Sequence, residues 1–398
     1  MSPGDIAFVL LSSALVLFMT PGLALFYGGM VRSKNILNML LKNFFTISIV
    51  TVVWVLIGYS LAFDGSVGGI IGRFGRFGLS GVEGEELLFM VFQMMFAIIT
   101  PALISGAVAE RMKFSGWVAF TSLWALIVYP IVAHWGFNAD GWMFAWGVRD
   151  FAGGLVVHIN AGIAALALVF VLGPRRGFGK EAIRPHSLPL TLLGTGILWF
   201  GWFGFNAGSA FAADGIAINA FVTTQIGAAL AAMGWVLAEW RKTGYPTTLG
   251  AASGAVAGLV AITPAAGFVT PLAAIAIGLV AGVVCFWAVS LKFRFNFDDS
   301  LDVVGIHLVG GMVGSVLLGV FASQAVNGGV ADGLLLGGVG FFFKQLAAVG
   351  VVIVFSLVAS YLLARLVEAT IGLRATQDQE IEGLDISLHE ERAYVLTD

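Results

Sequence analysis

Charge and cysteine are both scarce in this chain. Only 11% of its 398 residues are Asp, Glu, Lys or Arg, against about 25% in soluble domains. Its single cysteine, Cys285, excludes an internal disulfide and a thiolate metal cluster. The net charge of −3 provides no basic surface for nucleic acid. Hydrophobic residues make up 59% of the chain and 53 residues are glycine, which indicates closely packed helices in a lipid bilayer.

Long apolar runs predict an all-α polytopic membrane protein with eleven transmembrane helices. A spanning helix needs about 20 mostly apolar residues. Such segments lie near residues 6–30, 39–63, 87–109, 116–135, 152–172, 188–211, 217–239, 249–264, 269–291, 303–322 and 334–367. The eighth is short and ends at Pro264. Because residues 369–398 are polar and acidic, we expect a membrane domain, 1–368, followed by a tail outside the bilayer.

The distribution of basic residues predicts the orientation. Asp5 precedes the first apolar run, whereas Arg32 and Lys34 follow it, which is the reverse of a signal peptide. An outward N-terminus would place thirteen Lys and Arg residues in cytoplasmic loops and three in the opposite loops. By the positive-inside rule, we expect the N-terminus outside the cell and the tail in the cytoplasm. The membrane would be the inner or plasma membrane of the cell.

A short sequence repeat occurs once in each half of the chain. Asp150-Phe-Ala-Gly-Gly-Leu-Val-Val-His158 is echoed by Asp299-Ser-Leu-Asp-Val-Val-Gly-Ile-His307. Each copy opens a helix, and five helices separate the two openings. Since five is odd, the second copy would run inverted relative to the first. This favours two inverted five-helix repeats followed by a long eleventh helix, with the substrate path between the repeats.

His158 and His307 lie inside apolar spans, roughly 12 Å past the helix starts at about 1.5 Å per residue. Ionisable groups at such depth normally face a cavity or each other. Three interpretations remain open from position alone: paired imidazoles lining a narrow pore, separate histidines bonded to backbone carbonyls, and a bis-histidine haem site. The chain has no GxxxxGK[ST] phosphate loop, and no nucleophile lies near either histidine in the sequence, so we expect no enzyme activity.

Aromatic residues cluster on the predicted outer side. Phe92 and Phe96 begin the third span, and Trp202, Phe205 and Ser209 end the sixth. These rings could anchor the helices at the membrane interface, or they could form a vestibule whose π faces attract a small cation. Spacing alone does not select the cation.

Two further residues of this outer region have alternative roles. Asp150 opens a helix, so it could cap the backbone N–H groups there or favour a cationic substrate, and the two roles are compatible. Trp135 belongs to a group of tryptophans that also contains Trp142 and Trp146. They could lie in the interface belt or line the vestibule.

Several motifs occur in the order typical of one family. They are Phe92-Gln-Met-Met-Phe96-Ala-Ile-Ile-Thr-Pro-Ala-Leu-Ile-Ser-Gly-Ala-Val-Ala-Glu110-Arg111, Asp150 to Gly162, Gly201-Trp-Phe-Gly-Phe-Asn-Ala-Gly-Ser209, Asp302-Val-Val-Gly-Ile-His307, and Glu382 to His389 followed by Ala393-Tyr394. Together they resemble the Amt branch of the ammonium transporter (Amt/Mep/Rh) family. The resemblance implies a homotrimer in which each subunit has its own pore for ammonium or ammonia. It implies no cofactor and contact with membrane lipid. It also implies that the cytoplasmic tail and nearby loops receive a PII-type signal protein that blocks the pore.

The resemblance also implies a role for each aligned residue. His158 and His307 would be the twin histidines of the pore, which Trp202 would also line. Phe96 and Phe205 would be the stacked rings of the gate. Substrate recruitment at the outer end would involve Phe92, Phe96, Ser209 and Asp150.

One position departs from the family pattern. The family usually places a tryptophan about twelve residues before the aspartate that corresponds to Asp150. That spacing gives Asn138 here, and a one-residue gap gives Phe137, while Trp135 lies out of register. We therefore expect Phe137 or Trp135 to complete the recruitment site. The alternative function is an ammonium sensor that uses the same scaffold and signals through its tail to a separate partner.

Overall fold

The computed structural model describes residues 1–394, which form helices without a β-sheet. Residues 395–398, the end of the predicted tail, lie outside the described residues. The principal helices are α1 Pro3–Met30, α2 Ser33–Phe63, α3 Glu85–Ile104, α4 Phe114–Phe137, α5 Gly154–Leu172, α6 Leu188–Gly208, α7 Gly215–Thr243, α8 Thr248–Ile262, α9 Pro271–Ala288, α10 Val304–Phe321 and α11 Val339–Thr370. Short helices lie at Trp142–Trp146 and Leu291–Arg294, and single 3-10 turns at Phe77–Leu79 and Leu334–Leu336.

The predicted eleven-helix architecture is confirmed. Within the described chain, ten helices are long and apolar enough to cross a membrane. The eleventh is α8, the short segment anticipated from the sequence, and its residues are buried almost throughout. Close packing of this kind depends on small residues, since helices in lipid gain little from burying apolar surface against each other.

Helices α5 and α10 cross closely, and their contacts are reciprocal. A Cβ atom on Gly162 would overlap the backbone of Leu308, and a Cβ atom on Gly311 would press against Ile159. In these contacts Gly162 corresponds to Gly311 and Ile159 corresponds to Leu308, as expected for two related halves. The missing side chains allow the two backbones to approach at the centre of the protein.

Several predicted helix ends differ from the structure, and for two of them the local cause is evident. Helix α3 stops at Ile104 rather than 109, because the following turns bring Glu110 back with a positive φ of 66°. Its carboxylate then accepts the backbone N–H of Arg32 at 2.7 Å. Helix α11 begins at Val339 rather than 334, because a 3-10 turn precedes it and ends at Gly337 with φ of 91°.

A buried ionic cluster ties together the chain segments at the end of the protein where α1 finishes. Glu110 pairs with Arg32 at 2.8 Å and Arg175 at 3.3 Å, and Arg175 also pairs with Asp298 at 2.8 Å. Arg111 donates to the backbone oxygen of Asp298 at 2.6 Å. Burial by itself raises the pKa of Glu110, but Arg175 and Arg32 together hold it below its usual value. The cluster therefore consists of ionised groups that depend on one another.

The tail packs onto this same end. After α11 it forms two short helices, α12 Gln377–Glu382 and α13 Leu384–His389. Ala375 donates its backbone N–H to the Arg111 oxygen at 2.8 Å, next to the ionic cluster. Asp385 accepts the backbone N–H of Leu37 at 3.0 Å and of Asn38 at 2.8 Å, and so caps the first α-helical turn of α2, which follows a 3-10 turn at Ser33–Asn35. A polar tail is thus anchored through specific hydrogen bonds to the membrane domain.

Candidate functional site

Two buried aspartates organise the helix starts that carry the histidines. Asp150 accepts four backbone N–H groups, from Gly153 to Val156, at 2.7–3.1 Å. Asp299 accepts those of Val303 and Val304 at 3.1 and 2.7 Å. Each acid precedes a π-helical turn, Gly154–Ile159 or Val304–Leu308, that contains a histidine. The carboxylates satisfy N–H groups that a helix start leaves free.

Burial affects the pKa of both aspartates. It raises the pKa of Asp150, while the four N–H bonds act in the opposite direction. It raises the pKa of Asp299 to about 6, against the attraction of nearby Lys292. Each acid therefore acts mainly as an acceptor for its helix start.

His158 and His307 face each other at the centre of the protein. Their Nδ1 atoms are 3.3 Å apart, their ring centroids are 5.4 Å apart and the ring planes differ by 20°. Both side chains are buried, and Nε2 of His158 has no hydrogen-bond partner in the described part of the chain. The arrangement brings the two predicted pore residues together. A gap of 3.3 Å has no room for a porphyrin between the rings, so the haem interpretation does not fit this geometry.

Trp202 covers one side of His158. The indole and imidazole centroids are 5.4 Å apart with an interplanar angle of 18°. The indole N–H donates to the Thr263 hydroxyl at 2.8 Å, which fixes the plane of the indole. Thr263 follows α8 in the chain, and no sequence motif connects it with Trp202.

The space beside the histidines is narrow and apolar. A cavity of about 10 Å³ lies against His158 and His307, with Trp202, Phe205 and aliphatic side chains forming the rest of its wall. A volume of about 10–15 Å³ is what one water molecule requires. This narrow space, which we call the lumen, therefore accommodates only one very small molecule at a time.

Phe96 and Phe205 close the lumen on the side away from the ionic cluster. Their ring centroids are 4.2 Å apart with an interplanar angle of 26°, which makes this pair a stacked one. Phe205 also contacts His158, with 6.1 Å between the centroids. The stacked pair thus separates the histidines from a wider cavity beyond it.

That outer cavity has a volume of about 290 Å³ and combines rings with polar groups. Phe96, Phe137, Asp150 and Ser209 belong to its lining. The Ser209 hydroxyl donates to the Phe205 carbonyl oxygen at 2.8 Å, which leaves its lone pairs available as acceptors. Arg149 also lines the cavity, but its guanidinium is bonded to the carbonyl oxygens of Gly329 and Phe144. The rings, the hydroxyl and the carboxylate in this enclosed space suit a small cation.

The remaining predicted outer residues lie elsewhere. Phe92 is fully buried behind the cavity, where its ring contacts Phe96 at a centroid distance of 5.0 Å. Trp135 points away: its indole N–H donates to the Ile70 oxygen at 2.9 Å. Asn138 also faces away, because its amide donates to the Ala62 oxygen at 3.0 Å. Of the three positions considered for the missing tryptophan, Phe137 alone lines the cavity.

Sequence reasoning missed Gln93, which lines the same cavity directly beside Phe96. The signal was an uncharged polar residue inside an apolar helix, within the aromatic motif already singled out. Among residues 1–394, no group of three or more His, Cys, Asp or Glu side chains is arranged to hold a metal ion.

Comparison with known proteins points to one family. The model described as Ammonium Transporter Family matches residues 7–394. The chain is 49% identical to an ammonium transporter of Bacillus subtilis, over 99% of both chains. It is 48% identical to the ammonium transporter Amt1 of Archaeoglobus fulgidus, over 99% of this chain and 100% of the relative.

Solved structures of the same family are similar along the whole chain. Candida albicans Mep2 matches with a TM-score of 0.92 and 32% identity, over 100% of this chain and 94% of that one. A structure titled Sensor Amt Protein matches with a TM-score of 0.90 and 29% identity, over 97% and 98% of the two chains.

Proposed function

We propose that this chain, which belongs to the ammonium transporter family, conducts ammonia past His158 and His307 after capturing ammonium in the outer cavity. Membership of the family establishes a multi-pass membrane protein that transports ammonium and is a transporter rather than an enzyme. The observation that carries the detailed proposal is the 3.3 Å pairing of the two imidazoles in a lumen of molecular width.

Capture begins in the outer cavity. The faces of Phe96 and Phe137 attract a cation through their π electrons, and the Ser209 oxygen accepts one N–H bond. Phe92 supports Phe96 from behind. Asp150 contributes negative charge near the cavity while holding the start of α5. The site is built for a cation of few atoms that can exchange water for ring faces.

The stacked pair Phe96 and Phe205 then selects the neutral form. An ammonium ion that entered the apolar lumen would lose its hydration without an equivalent replacement, which is very unfavourable. Neutral ammonia has a much smaller desolvation cost. We therefore assign deprotonation to the cavity side of the stacked pair, where ammonium gives its proton to solvent water in the outer cavity, and passage beyond the pair to the ammonia that results.

The twin histidines receive ammonia by exchanging hydrogen bonds with it. One of the facing Nδ1 atoms donates and the other accepts, so the pair offers both an N–H and a bare nitrogen through its other ring positions. The unpartnered Nε2 of His158 is one such group. Trp202 stacks on His158, which fixes the orientation of the imidazole ring and excludes water from that side.

We extend the proposal to the assembly. The outer cavity faces outward, the ionic cluster and tail lie in the cytoplasm, and the protein forms a homotrimer in which lipid surrounds the outer helices. Residues 1–368 are the transport domain and residues 369–398 a regulatory tail for a PII-type partner. The hydrogen bonds of Ala375 and Asp385 support a coupling between tail and membrane domain. Truncation after Ala369 should leave inserted trimers with altered activity; failure to assemble would contradict a purely regulatory role.

Current recording on reconstituted protein tests the central claim. Proteoliposomes should give a sustained current or sustained alkalinisation after an ammonium pulse, and His158→Ala and His307→Ala should change its rate or selectivity. If both variants retain wild-type rate and selectivity, the histidines do not line the transport path.

An ammonium sensor is the alternative. It is favoured by the likeness to the structure titled Sensor Amt Protein and by the tail packed against the loops. A sensor of this kind would bind ammonium in the outer cavity but give only a transient signal in the same recording. A sustained flux of substrate would exclude sensing as its sole activity.

A further inference from the structure

Gln93 is a buried polar group with an unmet hydrogen bond. Its side chain lines the outer cavity next to Phe96, and the residue is 5% exposed. The Oε1 atom is fully buried and has no hydrogen-bond partner among residues 1–394. Buried amide oxygens are nearly always bonded, so an unbonded one beside a cavity indicates a missing partner.

Each of the other polar side chains that line the cavity makes hydrogen bonds within the protein. Asp150 receives four backbone N–H groups on its two oxygens. Arg149 directs its guanidinium to the carbonyl oxygens of Gly329 and Phe144, at 2.7 and 2.9 Å. The Ser209 hydroxyl donates its hydrogen to the carbonyl oxygen of Phe205, one turn earlier in the chain. Asn327 also lines the cavity, and its Oδ1 accepts the backbone N–H of Gly329 at 2.8 Å. Gln93 differs from these four because its oxygen accepts no hydrogen bond in the described chain.

A carboxamide provides what ring faces do not. Aromatic faces attract any small cation without a preferred direction, whereas an amide oxygen accepts an N–H along a defined line. The two ends of the amide exchange by rotation about its last bond, and the oxygen has no existing bond to lose. Gln93 can therefore turn its oxygen to a cation in the cavity and replace one of its waters.

We infer that the Gln93 carboxamide accepts a hydrogen bond from ammonium in the outer cavity and sets the affinity and selectivity of that site. The inference rests on the recruitment role proposed above and adds a substrate-binding residue to it. It predicts discrimination against alkali cations, because one amide oxygen satisfies an N–H donor but does not replace the ring of oxygens that a bare ion requires.

Kinetics of the full-length protein in proteoliposomes test this residue. Gln93→Met keeps the length of the side chain and removes the acceptor. The half-saturating ammonium concentration should rise about tenfold, as for loss of a hydrogen bond to a charged group, while the maximal rate stays within twofold. Thr121→Val is the matched control, because Thr121 is a buried hydroxyl on α4, away from the cavity, that also has no partner in the described chain. Its half-saturating concentration should equal that of the wild type.

Parallel variants distinguish the possible failures. If Phe137→Ala weakens ammonium binding and Gln93→Met does not, the cavity recruits ammonium without Gln93 and the inference is wrong. If neither variant has an effect, the recruitment site itself is misplaced. Should Gln93→Met not reach the membrane, Gln93→Glu decides: it keeps an oxygen acceptor and adds charge, so its half-saturating concentration should be at or below the wild-type value, and a higher value overturns the inference.

Discussion

The Nδ1 atoms of His158 and His307 face each other across 3.3 Å, a distance that accommodates one proton between them. Two protonated Nδ1 atoms would repel, and two bare ones would leave both without a partner. One shared proton is consistent with two neutral imidazoles, one protonated at Nδ1 and the other at Nε2, and a neutral pair suits the passage of a neutral molecule through an apolar lumen.

Replacing either histidine with an acid should change what the protein conducts. His158→Asp or His307→Asp introduces a negative charge into the apolar lumen, so cations that cannot become neutral by losing a proton, such as potassium, should now pass. The measurement is ammonium and potassium flux into proteoliposomes. His134→Asn is the matched control, because His134 is buried outside the lumen, where it bonds Ala62 and Ser66. Its selectivity should match the wild type; potassium flux in the control alone would reject the assignment.

Enlarging the ring at position 137 should tighten the outer site. An indole is a better cation-π partner than a phenyl group by up to about 1 kcal/mol, so Phe137→Trp should lower the half-saturating ammonium concentration roughly fivefold. Trp135→Ala should leave it unchanged, because that indole bonds the Ile70 oxygen away from the cavity. If Trp135→Ala instead raises the half-saturating ammonium concentration several-fold and Phe137→Trp leaves it unchanged, Trp135 supplies the ring.

Tail docking should weaken in acid. Asn38 Nδ2 lies 2.8 Å from Nε2 of His389, which accepts only while unprotonated. Burial lowers the pKa of His389 from its ordinary 6.5, with Lys42 acting in the same direction and Asp385 and Glu391 opposing. A lowered histidine pKa means that docking is stabilised above pH 6.5 and loses stability as the pH falls below it.

Protease sensitivity of the tail at pH 8 and pH 5.5 measures this effect. Cleavage should be faster at the lower pH in the wild type. In His389→Asn the difference between the two pH values should shrink, because the titrating group is gone. An unchanged pH difference in the variant would assign the effect to another group.

The ionic cluster should dominate the stability of the end of the protein that carries the tail. Glu110→Ala leaves Arg32 and Arg175 without their shared carboxylate, and breaking a buried pair costs about 3–5 kcal/mol. Glu85→Ala removes an exposed carboxylate paired with the N-terminus and should cost about 0–1 kcal/mol. Thermal unfolding in detergent compares the two. Equal shifts would mean that the cluster adds nothing beyond a surface pair.

The length of the apolar runs was sufficient to predict the eleven helices, because a bilayer requires long apolar runs whatever their partners. The Asp150–His158 and Asp299–His307 spacings predicted the inverted halves, since each acid caps the helix start that positions its histidine. The end of α3 was not predictable. It depends on Glu110 meeting Arg175, which lies 65 residues along the chain.

The outer cavity was predictable only in part. The sequence pointed to its rings, but not to which ring among Phe137 and Trp135 would face inward. That depends on where α4 ends and on the Asn138 amide bonding to Ala62. Thr263 and Trp202 meet only through the fold, and no local pattern announces such a contact.

The reciprocal packing of Gly162 against Leu308 and Gly311 against Ile159 has a bearing on how the lumen could evolve. The distance between the imidazoles depends on how closely the two backbones approach. The approach is close because Gly162 and Gly311 have a hydrogen atom where other residues have a Cβ atom. A Cβ atom on Gly162 would overlap the Leu308 backbone and spread the halves apart, while every residue that touches the substrate stayed the same; a Cβ atom on Gly311 would press less severely on Ile159. Tolerance to mutation should therefore be low at Gly162, a position that no passing molecule ever meets.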